Sequence, residues 1–317
     1  MRRATTALLA GALTLVLPAR VHAQSAYHAV QAIDARVQSI GWQLASANAA
    51  YCAQRQPAIG LLLQDIQAYD NPQEARLALG LSPSEAGDIA IQAVAAGSPA
   101  QRSGLQPNLP VLAIAGQDTK SLAPGRHGYD REATLRDLLD SALARDGAVD
   151  LLVGTHAQNS TVHIVGHVTC PARFEVLLEN SVRAAADGER VVVSRGFIAR
   201  LGSDEELAVV LAHELAHNLL GHRAELDAKG RSIPQVRTRE IEADRLSVWL
   251  LANANFDPHI AARFWETIGR RLYRGILLSP THLRWRSRYD LIQAEIAAMP
   301  ATLDENGRRD WRVAFAP

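Results

Sequence analysis

"LAVVLAHELAHNLLGH", residues Leu207 to His222, sets three histidines and a glutamate in an aliphatic run, and its reading decides the C-terminal half of the chain. On a helix His213 and His217, four residues apart, share a face one turn apart, so both imidazoles can converge on one ion. Glu214 lies about 100° around from His213, beside the pair, where it can act as a base without being a ligand. Upstream, Ser203 followed three residues later by Glu206 is a capping box, and Asp204 and Glu205 suit the positive end of the helix dipole. Leu207, Val210, Leu211, Leu215 and Leu219 supply the buried stripe, and the helix is expected to stop near Gly221. A core helix with hydrogen-bonded histidines is the competing reading. Two buried imidazoles and a carboxylate are costly, however, without a metal or strong partners.

A catalytic zinc needs a third protein ligand and an open position. Arg223 stands six residues after His217, where a third histidine would serve, and His222 is read as a bystander past the helix stop. The acidic candidates are Glu225, Asp227, Glu240, Glu242 and Asp244. Glu225 and Asp227 fall in "RAELDAKGRSIPQ", read as a mobile lid or connection. "RTREIEADRLSVWLLANANF", from Arg237, opens a second helix with Glu240 and Asp244 four apart on one face. That spacing offers Glu240 to the metal and Asp244 to the other ring nitrogen of a ligand histidine. Glu242 points away and is read as solvent-facing.

With these residues in place the chain resembles the zinc-peptidase family that includes the CaaX prenyl-protein endopeptidase, the heat-shock protease HtpX and the periplasmic protease BepA. The matching residues are His213, Glu214, His217, Glu240 and Asp244, and the resemblance covers about residues 172 to 295. It implies a mainly helical gluzincin-type domain with a small edge sheet, one Zn2+ per chain, and hydrolysis of polypeptides with Glu214 as general base and acid. "LLSPTHLRWRSRYDLI" resembles the family's Ser-Thr-His-Pro segment, although Leu283 replaces the proline. It implies an oxyanion-stabilising or metal-blocking role for His282 and a bracing role for Arg288, with a surface loop feeding the helix "RYDLIQAEIAAM" as the alternative for both. The edge strand Val191 to Ser194 is expected to receive the substrate as an added strand.

Ahead of this region the texture is β-rich. Residues 25 to 55 read as one helix, ended by Pro57, and then short apolar runs alternate with glycine and proline, interrupted by a helix from Arg131 to Ala144. "AVAAGSPAQRSGLQPNLPVLAIAGQD" resembles the PDZ signature at Gly97, Ser98, Pro99, Ala100, Gly104 and Leu105. Physically, Ser98 can cap a short helix, Pro99 suits its first position, and Gly104 supplies a left-handed stop. The resemblance implies a peptide groove between Gly60 to Leu63 and the Arg131 helix, with a closed spacer as the alternative. After Cys170, "ARFEVLLENSVRAAADG" reads as amphipathic helix and "ERVVVSRGFIARL" as a strand and a turn.

The expected class is therefore α+β, with a signal peptide (1–23), an N-terminal helix (24–56), a PDZ-like domain (57–168), a zinc metallopeptidase domain (169–300) and a loosely attached tail (301–317). The signal reading rests on Arg2, Arg3, an apolar run to Leu17 and small residues at Val21 and Ala23; it predicts cleavage after Ala23 and a periplasmic or otherwise exported protein. In such a compartment Cys52 and Cys170 pair first as a disulfide, with two buried thiols as the alternative. The 33 basic and 33 acidic residues balance, and no basic block interleaves with aromatics, which argues against nucleic acid as a partner. Polypeptide substrates, unfolded or misassembled in the envelope, are the expected partners, with a peptide in the PDZ-like groove and peripheral association with envelope membrane proteins. The rival function is a peptide-binding holdase or adaptor with a latent zinc site.

Overall fold

The computed structural model describes residues 17–81, 87–123, 129–154, 158–272 and 283–315. The first helix, α1 (Leu17–Ala47), buries Val37, Ile40 and Leu44. It ends earlier than expected. Asn48, fully buried, donates from its amide to Leu44 O at 2.9 Å and Leu250 O at 3.2 Å, turning the chain away. Of the expected signal segment, residues 1–16 lie outside the described residues, while Leu17 to Ala23 belong to α1.

A β-rich region follows: β1 (Gln56–Ala58), β2 (Leu61–Asp65), α2 (Pro72–Ala78), β3 (Ile89–Val94), α3 (Pro99–Arg102), β4 (Val111–Ile114), β5 (Gln117–Asp118), α4 (Asp130–Asp146), β6 (Ala148–Gly154), β7 (Asn159–Val165) and β8 (His167–Thr169). Strands β5-β4-β6-β7 form an antiparallel sheet, β2 pairs with β3, and β1 pairs with β8. Ile91, Val111, Ile114, Leu135 and Leu151 are fully buried in a core of their own under α4. At α3, Ser98 Oγ accepts from Gln101 N at 3.2 Å, Pro99 opens the helix and Gly104 turns at φ +78°. Cys52 and Cys170, separated by 118 positions in sequence, are joined by a disulfide, so the bond ties the two ends of this region together beside the β1-β8 pair.

The remainder is β9 (Arg173–Leu177), β10 (Ala184–Ala186), β11 (Arg190–Ser194), α5 (Arg195–Ile198), α6 (Asp204–Leu219), α7 (His222–Lys229), α8 (Ile233–Asn253), α9 (His259–Phe264), a π-helical turn (Trp265–Gly269), α10 (Arg270–Leu272), α11 (Trp285–Ala298) and α12 (Arg312–Phe315). The architecture is α+β. Helices α1, α6 and α8 share a second core that includes Leu44, Leu207, Leu211, Leu246 and Leu250.

Several expectations are corrected. "ARFEVLLENSVRAAADG" is not helical: β9 pairs in parallel with β11 and β10 pairs antiparallel with it, in the order β10-β11-β9. The backbone partners offered by β11 on both sides outweigh the helix propensity of the alanines. Val191 to Ser194 is consequently the central strand, and the edge beside α6 is β10. "RAELDAKG" is helix α7 rather than a loop. Helix α8 starts at Ile233, four residues before Arg237, because Ser232 and Gln235 form a capping box with Pro234 in the first turn. The C-terminal segment is anchored. Trp311 is buried, Asn253 exchanges hydrogen bonds of 2.8 and 2.9 Å with the Arg309 backbone, and Tyr51 donates to Asp304 at 2.6 Å.

The groove between β2 and α4 is bounded on one side by β9. Arg136 on α4 pairs with Glu175, and Arg173 reaches Asp140 at 2.8 Å and Asp137 at 3.2 Å. Phe174 packs on α1 at Gly41, where an added Cβ would lie 2.4 Å from the ring; only glycine admits that approach.

Candidate metal centre

Helix α6 begins as its sequence dictates. Ser203 Oγ accepts from Glu206 N at 3.3 Å, while the Glu206 carboxylate accepts from Gly202 N at 2.6 Å, one residue further back than a strict capping box. The apolar face, from Leu207 to Ala216, is buried against α1 and α8, which turns His213 and His217 toward the start of α8. There Glu240 meets them. His213 Nε2 lies 3.2 Å from His217 Nε2 and 3.4 Å from Glu240 Oε2, and His217 Nε2 lies 3.7 Å from Glu240 Oε1. Four tetrahedral ligands at zinc-to-nitrogen distances of 2.0–2.1 Å stand about 3.3 Å apart, so these three donors have nearly the separations that one zinc ion requires. Their donor atoms all fall within 4.8 Å of one another.

Around the donors the side chains are braced in two directions. Asp244, one turn along α8 from Glu240, sits 3.1 Å from His213 Nδ1, leaving Nε2 to face the shared point. Arg288 on α11 holds Asp244 through both carboxylate oxygens, with Nε to Oδ2 at 2.6 Å, and stacks 3.5 Å over the Trp265 ring. Both partners of this pair are buried. In the other direction His217 Nδ1 lies 2.9 Å from His222 Nδ1, and His222 Nε2 lies 3.2 Å from Glu242 Oε2. Glu242 is in turn paired with Arg239.

The electrostatics follow from burial and these partners. Burial works against a charged His213, but its bonds to Asp244 and Glu240 prevail and raise it to about 10. Burial and the charge on His213 lower His217 to about 3. Burial also depresses His222, to about 4, so its ring is neutral near pH 7 and one nitrogen can accept from His217. Asp244 would be raised by burial, yet Arg288 and His213 hold it below the usual carboxylate range.

Glu214 is half-buried beside His213 and lines a cavity of about 260 Å³ whose walls include Val182, Phe197, Val210, Phe264 and Trp265. Ala184, on the edge strand β10, and Arg288 line it too.

The structure thus brings together His213, His217, Glu240, Asp244 and Arg288, with Glu214 adjoining. His282 lies outside the described residues. Glu225 and Asp227 are committed to ion pairs on or near α7: Glu225 with Lys229 and Arg239, Asp227 with Arg223 and Arg231. Two expectations change. His222 is not a bystander but 2% exposed and in contact with His217, and Glu242 faces His222 rather than solvent alone. The reason is local: α6 ends at Leu219, and Gly221 turns left-handed at φ +65°, so His222 starts a new helix folded back toward the site. Extrapolating the face of α6 five residues past His217 cannot reveal that. The usable signal was the glycine stop immediately before a histidine.

Comparison with known proteins agrees with this geometry. Residues 171–236 match the model of peptidase family M48, a span that holds His213, Glu214, His217 and His222 and stops short of Glu240. The chain is 28% identical over 143 residues to the mitochondrial metalloendopeptidase OMA1 of Arabidopsis thaliana, a match covering 36% of this chain and 28% of that protein. It is 27% identical over 137 residues to the mitochondrial metalloendopeptidase OMA1 of Schizosaccharomyces pombe, covering 33% of this chain and 41% of the relative. The chain therefore spans less than half the length of either relative. Both are mitochondrial by name, which overturns the expectation of a periplasmic, exported protein; the envelope substrates and membrane partners inferred from export lose their basis. Among the described residues no helix is long and apolar enough to cross a membrane. The span Pro171 to Val236 is thus similar to peptidase family M48, and beyond it Glu240 of α8 completes a possible metal-binding triad with the paired histidines of α6.

Proposed function

We propose that the chain is a zinc-dependent endopeptidase that cleaves extended, unfolded segments of polypeptide. The observation that carries this reading is the convergence of His213, His217 and Glu240 at zinc-ligand separations, with Glu214 beside them on the wall of an apolar cavity. His213, His217 and Glu240 would hold a zinc ion, which would supply Lewis acidity to a water and to the scissile carbonyl. Glu214 accepts a proton from the attacking water and returns it to the leaving amine. Asp244 keeps the His213 proton on Nδ1, and Arg288 keeps Asp244 ionised and in place. Among the described residues β10 pairs with β11 alone. The substrate adds to its outer edge as a strand, which requires an unfolded segment, and a bulky apolar side chain enters the cavity.

The alternative, a holdase or adaptor acting through the β2-α4 groove with a latent zinc site, gives Glu214 no task. One experiment separates the two: Glu214→Gln is expected to keep one metal per chain and to cleave an unfolded, reduced test protein at least about a thousandfold more slowly. Unchanged cleavage would overturn the role of Glu214. Metal-independent peptide binding with no cleavage by the parent protein would favour the adaptor.

A further inference from the structure

Away from the metal centre, a cavity of about 530 Å³ opens where α1, the β-rich region and the β9-β11 sheet meet. This is within the size range of cavities that hold ligands, about 300–1,000 Å³. Its wall, though largely apolar, contains several buried polar side chains. Asp34 from α1, Gln64 and Asp65 from β2, and Gln92 from β3 each expose less than a tenth of their surface, and Glu132 from α4 faces the same space.

The charges in this wall do not balance. Asp65 is taken by Arg131, and Glu175 by Arg136, with Arg190 at 3.5 Å. Among the described residues Glu132 is ion-paired with Arg136 alone, at 3.9 Å, the same guanidinium that holds Glu175. Asp34 receives a hydrogen bond from Gln92 Nε2 at 2.6 Å and is in none of the ion pairs of the described residues. Gln92 supplies an independent sign of a missing group. Its amide is oriented by that bond, and its Oε1 is buried without a hydrogen-bond partner among the described residues. A buried carbonyl oxygen and two carboxylates with no cation of their own, around one cavity, call for a donor that carries positive charge.

We propose that this cavity is a binding site for the cationic side chain of a lysine or arginine in an extended polypeptide, held by Asp34 and Glu132 with the Gln92 carbonyl as a further acceptor. The polypeptide backbone runs along β2, whose Leu62 to Asp65 form one wall, beneath α4. The site then recruits a basic segment of a substrate or partner at a distance from the scissile bond. This rests on the reading that the protein acts on polypeptides, but it uses no residue of the metal centre.

The test uses the full chain carrying Glu214→Gln, so that no probe is cleaved, and titrates it calorimetrically with acetyl-Gly-Val-Lys-Val-Gly-amide, its arginine and norleucine counterparts, and lysine amide. The lysine and arginine peptides are expected to bind at least about tenfold more tightly than the norleucine peptide. In the double variant Asp34→Asn, Glu132→Gln that preference is expected to disappear while the norleucine peptide is unaffected. Equal binding of the three peptides overturns the proposal, and so does a preference that survives the double variant. Lysine amide binding as tightly as the lysine peptide overturns the polypeptide in favour of a free amine. The comparison among peptides needs no change in the cavity, so it stands even where the double variant fails to fold. The two readings fail separately: lysine preference in a parent protein that hydrolyses no unfolded polypeptide refutes only the peptidase reading, and hydrolysis without that preference refutes only this site.

Discussion

Replacing His222 probes the part of the centre that lies furthest from helical-face arithmetic. In the native arrangement His217 donates its Nδ1 proton to His222 Nδ1 across 2.9 Å, which leaves Nε2 as the lone pair for the metal. His222 is itself held by Glu242 at 3.2 Å. His222→Ala removes the acceptor from a site that is nearly closed to water, so the His217 N–H is left unsatisfied at a cost of about 1–3 kcal/mol. The ring can avoid that cost only by turning, which withdraws Nε2 from His213 and Glu240. Either way the metal-bound form loses stabilisation, and the expected fall in zinc affinity is about 10- to 100-fold. His222→Asn, whose carboxamide oxygen can still accept, should recover part of the loss, and Glu242→Gln should cost less than His222→Ala. Competition with a chromophoric zinc chelator at about pH 7.5 measures the affinity directly, with thermal melting of the metal-free proteins as a control for folding. An affinity for His222→Ala within about twofold of the parent would refute the reasoning and return His222 to the role of a bystander.

Other consequences can be checked on stability. Arg288→Ala strands the buried Asp244 carboxylate and empties the place above Trp265, so urea unfolding should show a loss of about 3–5 kcal/mol; Arg288→Lys should restore only part, because an ammonium cannot make the two-point contact. Reducing the Cys52–Cys170 bond, which closes a long loop, should lower stability by up to about 5 kcal/mol in the chain-entropy model, seen as a lower melting temperature with reductant; an unchanged melt would show that the bond adds nothing. Burial raises Asp34 from 3.8 to about 6 and Glu132 from 4.5 to about 7, the latter also through Glu175, Asp65 and Asp34 and against Arg136. A carboxyl raised on folding holds its proton more tightly in the folded than in the unfolded chain. These groups therefore make stability fall as pH rises from about 4 to about 7, by up to about 3 kcal/mol each. Gln92 bonded to Asp34, Gln64, Tyr69, Tyr129, the Asp65–Arg131 pair, Arg136, Glu175 and Arg190 are the other polar groups around them. With metal removed from both proteins, the change of stability with pH between about 4.5 and 7.5 should be less negative, or more positive, in Asp34→Asn, Glu132→Gln than in the parent; equal slopes would contradict it.

How far this was readable in advance depends on whether a residue's position follows from its own element. His213, Glu214 and His217 share one uninterrupted helix, and Glu240 and Asp244 share another, so periodicity tells which side chains share a face, while the meeting of the two faces follows only from the resemblance or from the fold itself. Where the chain leaves an element the arithmetic fails, as at Gly221, where a left-handed turn carries His222 back to His217. The segment from Ala172 to Gly188 was misread for a different reason. Its alanines favour a helix locally, and only the presence of β11, with an open side for each neighbour, makes β9 and β10 strands. The same pairing explains why the most apolar strand, Val191 to Val193, is central while the plain Ala184 to Ala186 forms the edge. The polar cavity was invisible in the sequence because Asp34, Gln92 and Glu132 come from three separate elements and have meaning only once α1 is laid across the β-rich region.

Hydrolysis is expected to require one ion held by His213, His217 and Glu240. The most direct measurement follows cleavage of an unfolded polypeptide while zinc is stripped by a chelator and then restored in known equivalents. Activity should vanish on stripping and return in full at about one zinc per chain, with His213→Ala neither binding nor recovering. Hydrolysis that persists in the stripped protein, or that His213→Ala retains, would contradict the account.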